Sequence, residues 1–120
     1  MVQITIEQQK LIEEHPVALS TVCKGNKPNV IGVAFVKVIE ANKILITDNY
    51  MSHTKDNLEK NNNVCLAVWD KDWSGVKLIG TAEYFSEGNY VDVVKNIPEN
   101  KNLSAKGAIV ITVSQLIELK

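Results

Sequence analysis

Arginine is missing from the 120 residues: all 13 basic side chains are lysines. Any anion site in this chain must therefore work without the bidentate guanidinium fork. A dominant charge of either sign is missing too. Fourteen acidic residues offset the lysines to a formal net charge of −1. That balance argues against nucleic acid or an anionic membrane surface as the main partner. No apolar run approaches the roughly 20 residues of a membrane span. The opening "MVQITIEQQK" carries no basic and apolar leader pattern, so the expected location is cytoplasmic. Cysteine is scarce: Cys23 and Cys65 sit in apolar stretches, neither with a second cysteine at ligand spacing. They read as small core thiols and not as a zinc site.

The composition is that of a globular chain, 45% hydrophobic and 22% charged, with the length of one domain spanning residues 1–120. Ile6 to Glu14 is expected to be a helix. Thr5 is its N-cap, Gln8 completes a capping box, and His15-Pro16 ends it. Strands are expected over Val17–Cys23, Asn29–Glu40, Ile44–Thr47, Val64–Trp69, Val76–Phe85 and from Gly107 to the C-terminus, rich in β-branched residues and separated by turn signals. Gly32, inside the second strand, suggests a bulge or a close backbone approach. Glu87–Ile97 has apolar residues at helical spacing, and "PENKNLS" (Pro98–Ser104) reads as a loop. Six strands without alternating βα units fit a small antiparallel barrel. Strands apolar on both faces need cover from helices or a second subunit.

The stretch "TDNYMSHTKDNLEKN" (Thr47–Asn61) places hydroxyls and cationic groups where a strand gives way to a short helix. Ser52 is the expected N-cap. Such a corner is either a capped surface helix or an anion site, because helix starts leave amides unpaired and carry partial positive charge. Asp70 and Asp72 flank a turn without a third ligand, and Ser20, Ser74 and Ser104 have no readable triad partners.

Taken in order, "KPNVIGVAFVKVIEANKILITDNYMSHTKDNLEKNNNVCLAVW" and the tail "VKLIGTAEYF…EGNYVDVVKNI…GAIVITVSQL" resemble the FMN-binding split-barrel family, the pyridoxamine 5'-phosphate oxidase-like superfamily, and within it the small bacterial FMN-binding proteins. The resemblance implies a mainly β fold with a few short helices. It implies a six-stranded antiparallel split β-barrel, homodimeric, with FMN at the subunit interface. The family's phosphate grip, a K-T-x-x-N-like pattern, stands here as His53, Thr54 and Asn57, with Ser52 beside them. Its second-strand flavin contacts fall on Asn29, Val30, Ile31 and Gly32. Thr47, Asp48 and Asn49 would pass near the ribityl chain and ring. His53 stands where the family carries Lys or Arg, which implies phosphate affinity that falls as pH rises. Tryptophans that shield the flavin in some small members are replaced by Gly32 and by Leu103 and Ser104, leaving Trp73 of a neighbouring subunit as a candidate cover. The oxidase itself holds pyridoxal phosphate with arginines, so that substrate is not expected. Three readings follow: an FMN-dependent oxidoreductase or flavin reductase with a small-molecule electron donor or acceptor, a non-catalytic FMN carrier (or a relative binding F420 or haem), and a dimer that has lost its cofactor.

Overall fold

The structure, a computed structural model, describes residues 2–100 and 103–119. Thr5 sets the first element. Its hydroxyl accepts from the Gln8 amide at 3.1 Å, and Gln8 Oε1 accepts from the Thr5 amide at 2.9 Å, the reciprocal box that satisfies two orphan donors. Helix α1 (Ile6–Glu14) follows, and His15 turns extended before Pro16. Next come β1 (Val17–Cys23) and β2 (Lys27–Val33), joined by a tight turn in which Gly25 and Asn26 have φ of +78° and +61°. Those are conformations that glycine adopts freely and asparagine tolerates. Then follow β3 (Val36–Glu40), β4 (Lys43–Asp48), α2 (Thr54–Lys60), β5 (Asn63–Trp69), β6 (Gly75–Phe85), α3 (Asn89–Lys95) and β7 (Gly107–Leu119).

Seven strands form one antiparallel sheet in the order β2-β1-β5-β6-β7-β4-β3. One side of every strand meets in a common core: Leu19, Val33, Val36, Ile46, Leu66, Leu78 and Ile109 share it. The sheet is therefore curled around its own apolar face. It stays open, since β2 and β3 are its two edges and no ladder joins them among the described residues. Outside, α3 and Ile97 lay Val91 and Val94 against Leu45, Ala108 and Val110. Strands β4 and β7 are thus covered on both faces, which is why "ILIT" and "GAIVITV" show no polar alternation. At the β3 edge, Glu13 Oε2 of α1 accepts from the Val38 amide at 2.8 Å. The carboxylate occupies a donor that an exposed edge would offer to another strand.

Three sequence expectations are corrected. The run Asn29–Glu40 is two strands, and the count is seven, not six. Val33 and Val36 are both buried in the core. Inward residues in one strand are an even number apart, so an interval of three forces a break, and it falls at Ala34-Phe35. Gly32 is no bulge: it pairs in register with Ala18, and a Cβ there would meet nothing within 4 Å. The third helix is shorter than Glu87–Ile97, and Lys101 and Asn102 of the expected loop Pro98–Ser104 lie outside the described residues.

Candidate functional site

The break after β2 and the corner after β4 face one another across a cleft of about 450 Å³, a size typical of small-ligand sites. Asn29, Ile31, Gly32 and Val33 of β2 form one wall, continued by Ala34 and Phe35. Thr47 and the turn Asn49–Thr54 form the other, with Leu103 at the rim. The structure therefore brings Asn29, Ile31, Gly32, Thr47, Asn49, Ser52, His53 and Thr54 together, as the sequence reading grouped them. Val30 points away, exposed on the outer face of β2 and paired with Ser20 of β1. Asn57 is turned inward: its amide donates to Thr21 Oγ1 at 3.1 Å and to Cys23 Sγ at 3.5 Å. Asn29 donates to the same threonine at 3.2 Å. Sequence reading did not single out Phe35, Tyr50 or Met51, which line the cleft because the β2–β3 break and the turn after β4 carry them there.

Asp48 is buried, and both its oxygens are engaged within the protein. Oδ1 accepts from the Met51 amide at 2.9 Å, and Oδ2 accepts from the Tyr84 hydroxyl at 2.5 Å. Burial first, then the hydrogen bond and charge of Asp48, push the Tyr84 phenol well above the ordinary tyrosine range. The same turn is fixed from a second side. Asn49 and Asn100 exchange amide hydrogen bonds at 2.7 and 3.2 Å, the Lys106 amide donates to the Asp48 carbonyl at 2.9 Å, and Lys106 Nζ donates to the Met51 carbonyl. Asp48 thus shapes the cleft wall from behind it.

The expected cap is corrected. His53, not Ser52, occupies the N-cap position of α2, and no side chain caps that helix. The Asn57 amide bonds to the His53 carbonyl at 3.0 Å, so the first turn begins one residue later than expected. Ser52 and His53 are exposed at the rim, while Thr54 is buried. The polar run "SHT" is thus not spent on capping. With only seven residues in α2, the helix dipole adds little. Thr47 of the cleft wall has its Oγ1 buried without a hydrogen-bond partner. Buried hydroxyls are normally paired, because desolvating one unpaired costs about 1–3 kcal/mol.

Among the described residues, no cluster of His, Cys, Asp or Glu is arranged to hold a metal. Asp70 Oδ1 instead accepts from the amides of Asp72 and Ser74 and shapes the β5–β6 turn. Trp73, in that turn, stacks on Trp69 with ring centroids 6.2 Å apart. Among the described residues, no helix is long and apolar enough to cross a membrane.

A sequence model of the pyridoxamine 5'-phosphate oxidase family matches residues 4–120. The chain belongs to that family. The uncharacterized protein MJ0282 of Methanocaldococcus jannaschii is 33% identical over all of this chain and 83% of its own length. Among solved structures, HupZ of Group A Streptococcus is similar with a TM-score of 0.87 at 24% identity, over 96% of this chain and 93% of that one. An FMN-binding protein of Syntrophomonas wolfei aligns with a TM-score of 0.78 at 18% identity, over 94% of this chain and 84% of its own. At these identities the two structures establish a shared fold. Among the described residues, the cleft lining holds no lysine and no carboxylate, and His53 is its one basic side chain.

Proposed function

We propose that the cleft binds FMN and that the chain is a flavin-dependent oxidoreductase or flavin reductase working as a homodimer. The observation that carries the reading is Thr47. Thr47 lines the cleft, and its hydroxyl is buried without a hydrogen-bond partner, a donor that a side-chain rotation would offer to a ligand. Ser52 and His53 at the rim and the buried Thr54 beside them, none with a side chain that caps α2, fit the phosphate end. The largely apolar walls of Ile31, Val33, Phe35 and Met51 fit a planar ring. Flavin, when bound, supplies hydride or single-electron transfer, and the protein's part is to hold and tune it. Thr47 and Asn49 would bond the polar chain of the cofactor, His53 would offset phosphate charge, and Asp48 would keep the wall in place. The dimer reading rests on the outer face of the sheet, where Val30 and Ile117 stand exposed. An interface of this kind would bury on the order of 2,000 Å².

A carrier that stores FMN without turnover is the second reading. It is favoured by a lining sparse in proton-transfer groups: among the described residues it holds no carboxylate or lysine, which leaves His53 and Tyr50. Titrations with FMN and riboflavin test the cofactor reading. FMN is expected to bind at least tenfold more tightly, and equal affinities would remove the phosphate from the rim. Stopped-flow reduction of the loaded protein by NADH or NADPH then separates enzyme from carrier. Light scattering showing a flavin-loaded monomer at micromolar concentration would end the dimer reading.

A further inference from the structure

The chain has two tryptophans, three tyrosines and two phenylalanines, and most are committed elsewhere. Trp69 and Trp73 stack on each other. Tyr84 is bonded to Asp48, and Phe85 and Tyr90 pack together beside α3. Two aromatic residues line the cleft, Phe35 and Tyr50. Phe35 is half-buried at the β2–β3 break, its carbonyl accepting from the Thr47 amide. Tyr50 differs: its side chain is 76% exposed, although aromatic surface gains by leaving water.

The backbone beneath Tyr50 is held firmly. Asn49 before it is locked to Asn100, and Met51 after it is bonded at its amide by Asp48 and at its carbonyl by Lys106. An unpaired flat side chain on a fixed turn at the mouth of a ligand cleft is placed to lie on something flat.

We propose that Tyr50 is the side chain that covers the isoalloxazine ring of the bound flavin. The assignment rests on the flavin reading above. It makes Tyr50 a positioning residue with a spectroscopic signature. A phenol stacked on an excited flavin passes an electron to it and receives it back, which quenches emission without net chemistry.

The experiment titrates FMN into the wild-type protein and into Tyr50→Phe, Tyr50→Ala and Trp73→Ala. Affinity is read by calorimetry and emission by flavin fluorescence. Wild-type protein is expected to quench the flavin. Tyr50→Phe keeps the stack but loses the electron donor, so affinity stays within about twofold while emission rises several-fold. Tyr50→Ala loses both, with affinity lower by roughly 2- to 12-fold for one lost aromatic stack. Trp73→Ala behaves as wild type. FMN that binds with the same emission in all four proteins would overturn the Tyr50 assignment and leave the flavin reading standing. Quenching lifted by Trp73→Ala and not by Tyr50→Phe would also overturn it. Failure of wild-type protein to bind FMN would overturn both.

Discussion

The Tyr84 hydroxyl donates to Asp48 Oδ2 across the sheet, from β6 to the end of β4. One hydrogen bond thereby ties the cleft wall to the centre of the fold. Its pH behaviour follows from the raised phenol pKa, caused first by burial and then by Asp48. The folded state favours the neutral phenol. As pH rises through about 10, the unfolded tyrosine ionises first, and the folded state then holds the extra proton. Stability therefore falls with rising pH in that range. The contribution is whole below about pH 10 and lost above it. Tyr84→Phe should cost about 1–2 kcal/mol at neutral pH, because Asp48 loses a partner. It should also flatten the alkaline slope in urea melts relative to wild type. Equal slopes would mean that the phenol ionises alike in both states.

Gly107 sits under the same ring. A Cβ there would collide with the Tyr84 hydroxyl and ring carbons. Gly107→Ala is expected to destabilise by about 1–3 kcal/mol, as overpacking does. The penalty should shrink in a Tyr84→Ala background, since the two groups share one space. Additive losses in denaturant melts would place the strain elsewhere.

Thr47→Val should divide stability from binding. Removing an unpaired buried hydroxyl while keeping its shape is expected to stabilise the free protein by about 1 kcal/mol. FMN affinity should drop roughly tenfold if that hydroxyl bonds the ligand. Thermal melts and flavin titration on the same sample decide it. A stabilised variant with unchanged affinity would make Thr47 a simple packing defect.

His53 and Thr54 should matter to FMN and not to riboflavin. His53→Lys is expected to raise FMN affinity several-fold by placing an ammonium beside the phosphate, with riboflavin little affected. Thr54→Ala should weaken FMN by roughly 10- to 100-fold if it loses a charge-assisted bond. Calorimetric titration of both flavins into both variants checks this, and unchanged FMN affinity in His53→Lys would make His53 a bystander.

Val30→Asp tests the proposed assembly. Val30 is 66% exposed on the outer face of β2, so the change should leave the folded protomer's melting temperature nearly unchanged. Placed within an interface, the carboxylate should shift sedimentation toward monomer. An unchanged sedimentation coefficient would move the interface off this face.

Much of the fold was readable where one physical signal stood alone. The capping box bounded α1, and the doubly covered strand β7 announced itself as an apolar run from Gly107. The β2–β3 break was hidden because apolar residues, Ala34 and Phe35, continue through it. The signal was the parity of the apolar positions: Ile31 and Val33 are odd, Val36 and Val38 even. At the cleft, residue chemistry identified the corner but not its register. Ser52, His53 and Thr54 are all compatible with a cap, and only the backbone shows that His53 takes the position. Asn57 and Asp48 were grouped with ligand contacts because polarity alone does not tell inward from outward. In the structure, their partners are Thr21 and Cys23 for one, Met51 and Tyr84 for the other. Tyr50 carried no sequence signal beyond being one aromatic in a polar turn.

Strand β7 stands between β6 and β4, and among the described residues its ladders alone pair the group β2-β1-β5-β6 with the hairpin β4-β3. On the ribosome, both groups emerge before their connector does. Until residues 107–119 are made, Ile44 and Ile46 on one side and Leu78 and Ala82 on the other lack the strand they share. From the completion of β6 at Phe85 until β7 is added from Gly107, the two half-sheets therefore each keep an unpaired inner edge, one at β4 and one at β6.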